Sequence, residues 1–203
     1  MKPNDIESLS FKIIDREAGT HAFTPEQWQI VRRMIHTTAD FEYMKTVRFH
    51  PRSVTAGIDA IRNGKSIITD THMARVGIRK GELLRFGVSV DCLIDRLEIA
   101  QTAKDKGTTR AKAAVDAAID QMDGGIYVVG NAPTALLQVI ELVQDDKANP
   151  ALIVGLPVGF VNAAESKEKL VKINTPYISN IGRKGGSNVA ASVINALAIM
   201  AAG

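Results

Sequence analysis

The run Ile126–Val143, IYVVGNAPTALLQVIELV, constrains the fold more than any other stretch of the chain. Ile126, Tyr127, Val128 and Val129 are β-branched, aromatic and apolar on both faces, which suits a strand covered on both sides, as in a parallel sheet. Gly130-Asn131-Ala132-Pro133 is turn chemistry. A helical run follows, with Leu136, Ile140 and Val143 at spacings of four and three. A strand, a tight turn and a helix in that order place Asn131 and Thr134 at the carboxyl end of a strand, where ligands sit in open α/β sheets. The same two residues also read as a turn asparagine and a helix-capping threonine.

The same alternation recurs along the chain. Residues 1–23 read as an N-terminal arm, with Phe11-Lys12-Ile13-Ile14 as a short strand or extended packing segment. Thr24, Pro25 and Gln27 form a capping box, with Phe23 and Trp28 at the staple positions, and open a helix that runs to about Ala39. Ser53 opens a second helix, which ends at Asn63-Gly64. Ser66–Thr69 reads as a buried strand ending in the polar tip Asp70-Thr71-His72-Met73, and Gly87–Ile94 as another. Thr108 or Thr109 caps a long helix to Met122. Ala151–Gly155 is a further buried strand, and Leu156–Val161 a Gly/Pro loop. Asn162 with Glu165 resembles a capping box for a short helix. Tyr177–Asn180 is a last strand, and Ser187 caps the terminal helix after a glycine loop. These units predict one α/β domain over residues 1–203, a doubly wound, mainly parallel sheet with helices on both faces.

Composition excludes several classes. With 203 residues, 45% of them hydrophobic, the chain can bury one sizeable core. A net charge of +3 and 5% aromatics give no case for nucleic acid, though they suit an anionic small molecule. Cys92 is the one cysteine, so a Cys-rich zinc site is out, and the four histidines have no metal-ligand spacing. No metal and no cofactor are expected. The start MKPNDIESLS has no apolar signal core and no run reaches spanning length, so a cytoplasmic protein without membrane attachment is expected.

Two stretches carry candidate chemistry. Gly182-Arg183-Lys184-Gly185-Gly186-Ser187 offers close backbone approach, two cations and a helix start, which fits a phosphate or carboxylate; it also reads as a solvated basic turn. His36 lies beside the apolar stripe of its helix, with Arg33 one turn earlier and Asp40 one turn later. There it is either a general acid positioned by Asp40 or a plain helical histidine. Asn63-Gly64-Lys65-Ser66 is not a P-loop, because the strand follows it rather than precedes it.

Taken together, Arg33-Met34-Ile35-His36-Thr37-Thr38, Gly130-Asn131-Ala132-Pro133-Thr134-Ala135-Leu136, Pro157–Lys167 (PVGFVNAAESK) and Gly182–Ser187 resemble the motifs of the precorrin-8X methylmutase family, also met as cobalt-precorrin-8 methylmutases. Ser10-Phe11 and Thr109-Arg110 fit as well, and the likeness covers nearly the whole chain in the family's order. It implies an isomerase of cobalamin biosynthesis that moves a methyl group between neighbouring carbons of ring C of a corrinoid tetrapyrrole, giving hydrogenobyrinic or cobyrinic acid. Any cobalt would belong to the substrate.

The resemblance further implies a homodimer and assigns His36 as the proton donor. Ser10, reaching in from the arm, and Arg33 are implied substrate contacts. A substrate with many carboxylate arms needs separate cations and N–H clusters. Arg33, Arg110, Arg183 and Lys184 could supply the cations. Thr37, Asp70, Asn131, Thr134, Gly159, Phe160, Gly185, Gly186 and Ser187 complete the expected substrate-binding set. Ala39 and Asn162 stand where glycine is common in the family. The rival reading is a non-enzymatic α/β module that binds phosphorylated ligands or nucleotides through Gly182–Ser187; it gives His36 no task.

Overall fold

The computed structural model describes residues 3–203. Six strands, β1 (Val47–Phe49), β2 (Ile67–Thr69), β3 (Val90–Cys92), β4 (Ile126–Val129), β5 (Leu152–Gly155) and β6 (Tyr177–Asn180), form one sheet in the order β1-β6-β5-β4-β2-β3. Five of them are parallel; β1 pairs antiparallel with β6 at the edge. The doubly wound, mainly parallel sheet expected from the βα alternation is present. β1 is an addition: its exposed Arg48 between Val47 and Phe49 leaves no apolar run to read in sequence.

The pleat sends alternate side chains to two cores. Ile67, Ile126 and Val128 face one layer, built from α1 (Pro3–Ala18), α2 (Pro25–Thr38), α4 (Ser53–Arg62), α5 (His72–Gly77), α6 (Lys80–Leu84) and α12 (Ser187–Ala202). Ile68, Tyr127 and Val129 face the other, built from α7 (Leu97–Asp105), α8 (Arg110–Ala117), α9 (Ile119–Met122), α10 (Pro133–Gln144) and α11 (Ala163–Leu170). The short α3 (Tyr43–Thr46) leads into β1. No described helix is long and apolar enough to cross a membrane.

Several local expectations need correction. The arm is a 16-residue helix, not a strand or an extended segment. Ile6, Leu9 and Ile13 hold helical spacing, and Ile14 is buried on its inner side. The long helix expected to Met122 breaks at Ala118, whose φ/ψ of −97°/2° is not helical, into α8 and α9. Asn162 makes no side-chain cap and takes a left-handed φ of 60°, so the Asn162/Glu165 capping box does not form. Ser187 is the first residue of α12 rather than its cap, a position held by Gly186. By contrast, Thr24 and Gln27 form both halves of their capping box, and Phe23 stacks against Trp28 with ring centroids 6.3 Å apart.

Candidate active site

Chain order fixes where a site can lie. β3 follows β2 on one side, whereas β4 returns to its other side, so the strand order reverses between β2 and β4. In open α/β sheets that crevice, at the carboxyl ends of the strands, receives ligands. Here the chain's own Asp70 fills it. Its Oδ1 accepts the Gly130 N–H at 2.9 Å, and its Oδ2 accepts those of Asn131 and Ala132 at 2.8 and 2.7 Å. Burial pushes the Asp70 carboxyl up from its ordinary value, with the three N–H bonds acting against that. Only 3% exposed and with both oxygens bound to backbone N–H groups, Asp70 holds the turn and does not face solvent as the expected contact would.

The glycine loop sits on top of this closed crevice. A Cβ on Gly130 would fall 2.5 Å from Ser187 Cα, and one on Gly185 would fall 2.3 Å from the Leu156 carbonyl oxygen, so backbone passes over backbone where no side chain fits. The Gly186 N–H bonds to the Leu156 carbonyl at 2.9 Å, and the Gly159 N–H to the Arg183 carbonyl at 3.2 Å, which ties the 157–161 loop to the 182–186 loop. Ser187, expected to face the ligand, is buried with its hydroxyl 2.8 Å from Thr71 Oγ1. The first intrahelical bond of α12 runs from Ala190 N to Gly186 O. The N–H groups of Ser187, Asn188 and Val189 therefore lie in a first turn without helical acceptors, at the positive end of a 16-residue helix.

The two loop cations differ. Lys184 is held by Asp40 at 2.5 Å and Glu42 at 2.6 Å; these bonds raise its pKa, and the Lys184 bond holds Asp40 below its usual value. Its charge is therefore compensated, and its visible task is to tie the loop to the segment after α2. Arg183 is exposed and lies over the Phe160 ring, 5.3 Å from the centroid. Phe160 and Val161 are 83% and 77% exposed, large apolar side chains beside the loop.

His36 stands at the carboxyl end of α2, exposed, in a groove of about 430 Å³ whose lining includes Leu9, Ser10, Ile13 and Phe41. Asp40 does not position it, since that carboxylate is bound to Lys184 and the Glu42 N–H. Ser10 does: its Oγ lies 2.8 Å from His36 Nδ1, and Phe11 meets the ring edge-on at 5.2 Å. Arg33, 8% exposed, is paired with Glu7 at 3.0 Å, and the same carboxylate oxygen takes Arg79 at 3.3 Å. Thr37 is half-buried beside His36.

The expected residues fall into two groups. Ser10, Arg33, His36 and Thr37 lie on α1 and α2, in one helical layer. Arg110 opens α8 and Thr134 is the second residue of α10, in the other layer, where Thr109 Oγ1 donates to Thr134 Oγ1 at 3.2 Å. Asn131, with an exposed side chain, and the glycine loops occupy the sheet edge between them. The sequence reading missed Glu7, whose helical spacing to Ser10 puts both on the side of α1 that meets α2. It also missed Lys167, a lysine inside an AAESK stretch that gives no local sign of burial. Among the described residues no cluster of three or more His, Cys, Asp or Glu could hold a metal ion.

A doubly wound α/β sheet whose switch-point N–H groups are taken by its own Asp70, with an exposed imidazole held by a hydroxyl in the α1/α2 layer, is an α/β scaffold without the usual nucleotide crevice. Comparison with known proteins makes this specific. A model of the precorrin-8X methylmutase family matches residues 5–200. The cobalt-precorrin-8 methylmutase of Priestia megaterium is 47% identical over 201 residues, covering 99% of this chain and 89% of its own. The precorrin-8X methylmutase of a Sinorhizobium species is 34% identical, covering 96% and 93%. The crystal structure of precorrin-8x methyl mutase from Thermus thermophilus superposes with a TM-score of 0.91 at 45% identity, covering 98% and 96% of the two chains. The chain belongs to the precorrin-8X methylmutase family, isomerases of cobalamin biosynthesis. The alternative of a phosphate- or nucleotide-binding module has no support among these relatives.

Proposed function

We propose that this chain converts precorrin-8X or cobalt-precorrin-8 to hydrogenobyrinic or cobyrinic acid, with His36 as the proton donor. The observation that carries the reading is the Ser10–His36 contact of 2.8 Å at the mouth of an apolar groove. As the imidazolium that a proton donor must be, His36 gives its Nδ1–H to Ser10 Oγ, which leaves the Nε2–H for the substrate. A methyl shift between neighbouring ring carbons needs no nucleophile. The enzyme's task is to orient the ring system and control its charge. Protonating the tetrapyrrole draws electron density toward the protonated nitrogen as the methyl group migrates, and the rearranged π-system returns the proton.

Substrate carboxylates are held by Arg33, Arg110, Arg183 and the N–H groups at the start of α12. Asn131, Thr134, Gly159 and Phe160 form walls, and Thr37 contacts the ring edge. A groove of about 430 Å³ lies low in the usual range of ligand pockets, roughly 300–1,000 Å³, and is too small to enclose a tetrapyrrole by itself. A second copy of the chain would supply the missing wall. Arg33 and Arg110 lie in opposite helical layers, so the groove beside His36 does not bring both cations together within one chain. The exposed apolar side chains of Ile6, Leu9, Phe160 and Val161 give such a dimer a surface to bury.

Incubation with metal-free and cobalt-loaded substrate side by side tests the reading, because corrin formation changes the absorption spectrum. Conversion of at least one is expected, and no spectral change with either would refute it. Light scattering should give twice the 21.9 kDa chain mass, and a monomer at micromolar concentration would remove the shared site.

A further inference from the structure

Lys167 is fully buried, on α11 beneath the glycine loop. Its Nζ donates to Asn180 Oδ1 at 3.0 Å and to the Lys184 carbonyl at 2.6 Å. Asn180 Nδ2 donates to that same carbonyl at 2.9 Å, so two side chains converge on one loop oxygen. Both acceptors of the ammonium are neutral. The charged groups on the surrounding elements are turned away: Glu165, Glu168 and Lys169 on its own helix, Glu141 on α10, and Arg183 and Lys184 in the loop are exposed, with Asp40 and Glu42 taken by Lys184. The Tyr177 hydroxyl on β6 donates to the Val171 carbonyl. A buried ammonium with two neutral acceptors and no carboxylate is costly unless an anion completes it.

We propose that Lys167 is a positioning residue for substrate carboxylates: its buried ammonium fixes the 182–186 loop through the Lys184 carbonyl and supplies a positive field that a carboxylate bound at the loop completes. This rests on the corrinoid reading of the loop given above. Asn180 and Lys167 then explain why the loop keeps its shape although most of its own residues are exposed or half-buried. Burial pushes the Lys167 amine down to about 8, so the field weakens within an accessible pH range. The group is protonated below that value and loses its charge above it.

Hydrogenobyrinic acid, the expected product, is the probe. Wild-type affinity should fall as pH rises through about 8. Lys167→Met should weaken binding about tenfold, the worth of one charge-assisted hydrogen bond, and abolish the pH step. It should also speed amide exchange at Gly185 and Gly186, while the single-turnover rate at saturation stays within about threefold. Lys167→Arg keeps its charge throughout and should retain more affinity than Lys167→Met, with no step. Unchanged affinity and exchange in folded Lys167→Met overturn the proposal. A wild-type affinity that stays flat from about pH 6.5 to about 9.5 also overturns it, and needs no variant to fold. Wild-type protein that binds no hydrogenobyrinic acid at any pH overturns the corrinoid reading together with the ligand half of this proposal. A titration without a step on protein that does bind overturns this proposal alone.

Discussion

Replacing Asp70 tests the claim that the switch-point crevice is sealed by the chain itself. In Asp70→Ala, the N–H groups of Gly130, Asn131 and Ala132 lose their acceptor at once. A buried donor left without a partner costs about 1–3 kcal/mol. Water entering the vacated space can serve the two N–H groups nearer the surface, whereas Gly130 is buried. The expected loss is therefore about 3–5 kcal/mol, a large part of the roughly 5–15 kcal/mol that holds a domain folded. Asp70→Asn is more discriminating. Its single oxygen serves best where Oδ2 now takes two N–H groups, which turns the amide NH₂ toward the Gly130 N–H across 2.9 Å. One bond is lost and two lose their charge assistance, but a buried negative charge is also removed. A cost of about 1–3 kcal/mol follows, below that of alanine. Urea unfolding followed by the fluorescence of Trp28, the one tryptophan, gives both numbers as midpoint shifts at constant slope. An Asp70→Ala protein within about 1 kcal/mol of wild type would show that the turn does not depend on this carboxylate.

Two further outcomes follow from the site. Burial works against the Glu7 carboxylate, yet its hydrogen bond to Arg33 and the charges of Arg33 and Arg79 hold it below its ordinary value of 4.5. The tie is therefore complete above 4.5 and is lost as pH falls through the lower folded value. Acid should release α1 from α2, read by the fluorescence of Trp28, whose Nε1 donates to Asp15 on α1 at 2.8 Å; Glu7→Gln should release it at neutral pH. An acid profile identical in wild type and Glu7→Gln would assign the docking to other contacts. Arg110→Ala should raise KM several-fold with kcat within about threefold, as for a carboxylate clamp used equally in ground and transition states. Steady-state kinetics showing kcat collapse at constant KM would give Arg110 a different task.

The sheet was readable because buried parallel strands are short apolar runs closed by turn residues, and IYVV-GNAP and LIVG-LP are both. The helix at Thr24 was readable because capping is local chemistry. Failures came where the deciding feature lies outside the stretch being read, in a longer period, a backbone angle or a distant partner. Phe11–Ile14 looked extended because four residues carry no helical period, and the period appears only when Ile6 and Leu9 are included. Asn162 has the residue types of a capping box, but its left-handed φ of 60° points the side chain elsewhere. Asp40 sits one turn from His36, yet Lys184, 144 positions along the chain, takes it. The buried lysine shows the same limit. Nothing around Lys167 in sequence says that Asn180 and the Lys184 carbonyl converge on it.

The central claim is that His36 delivers the proton while other residues hold the substrate. Ser10 holds the imidazole through Nδ1, and the proposal gives Arg33, one turn earlier on the same capped helix, the task of registering a carboxylate against it. Single-turnover absorption spectroscopy of His36→Ala with saturating substrate, run beside a titration with hydrogenobyrinic acid, separates the two functions. Conversion should slow by about a hundredfold or more, the usual worth of a general acid, with product affinity within a few-fold of wild type. Near wild-type conversion would contradict the account, and lost affinity with normal conversion of bound substrate would make His36 a contact residue instead.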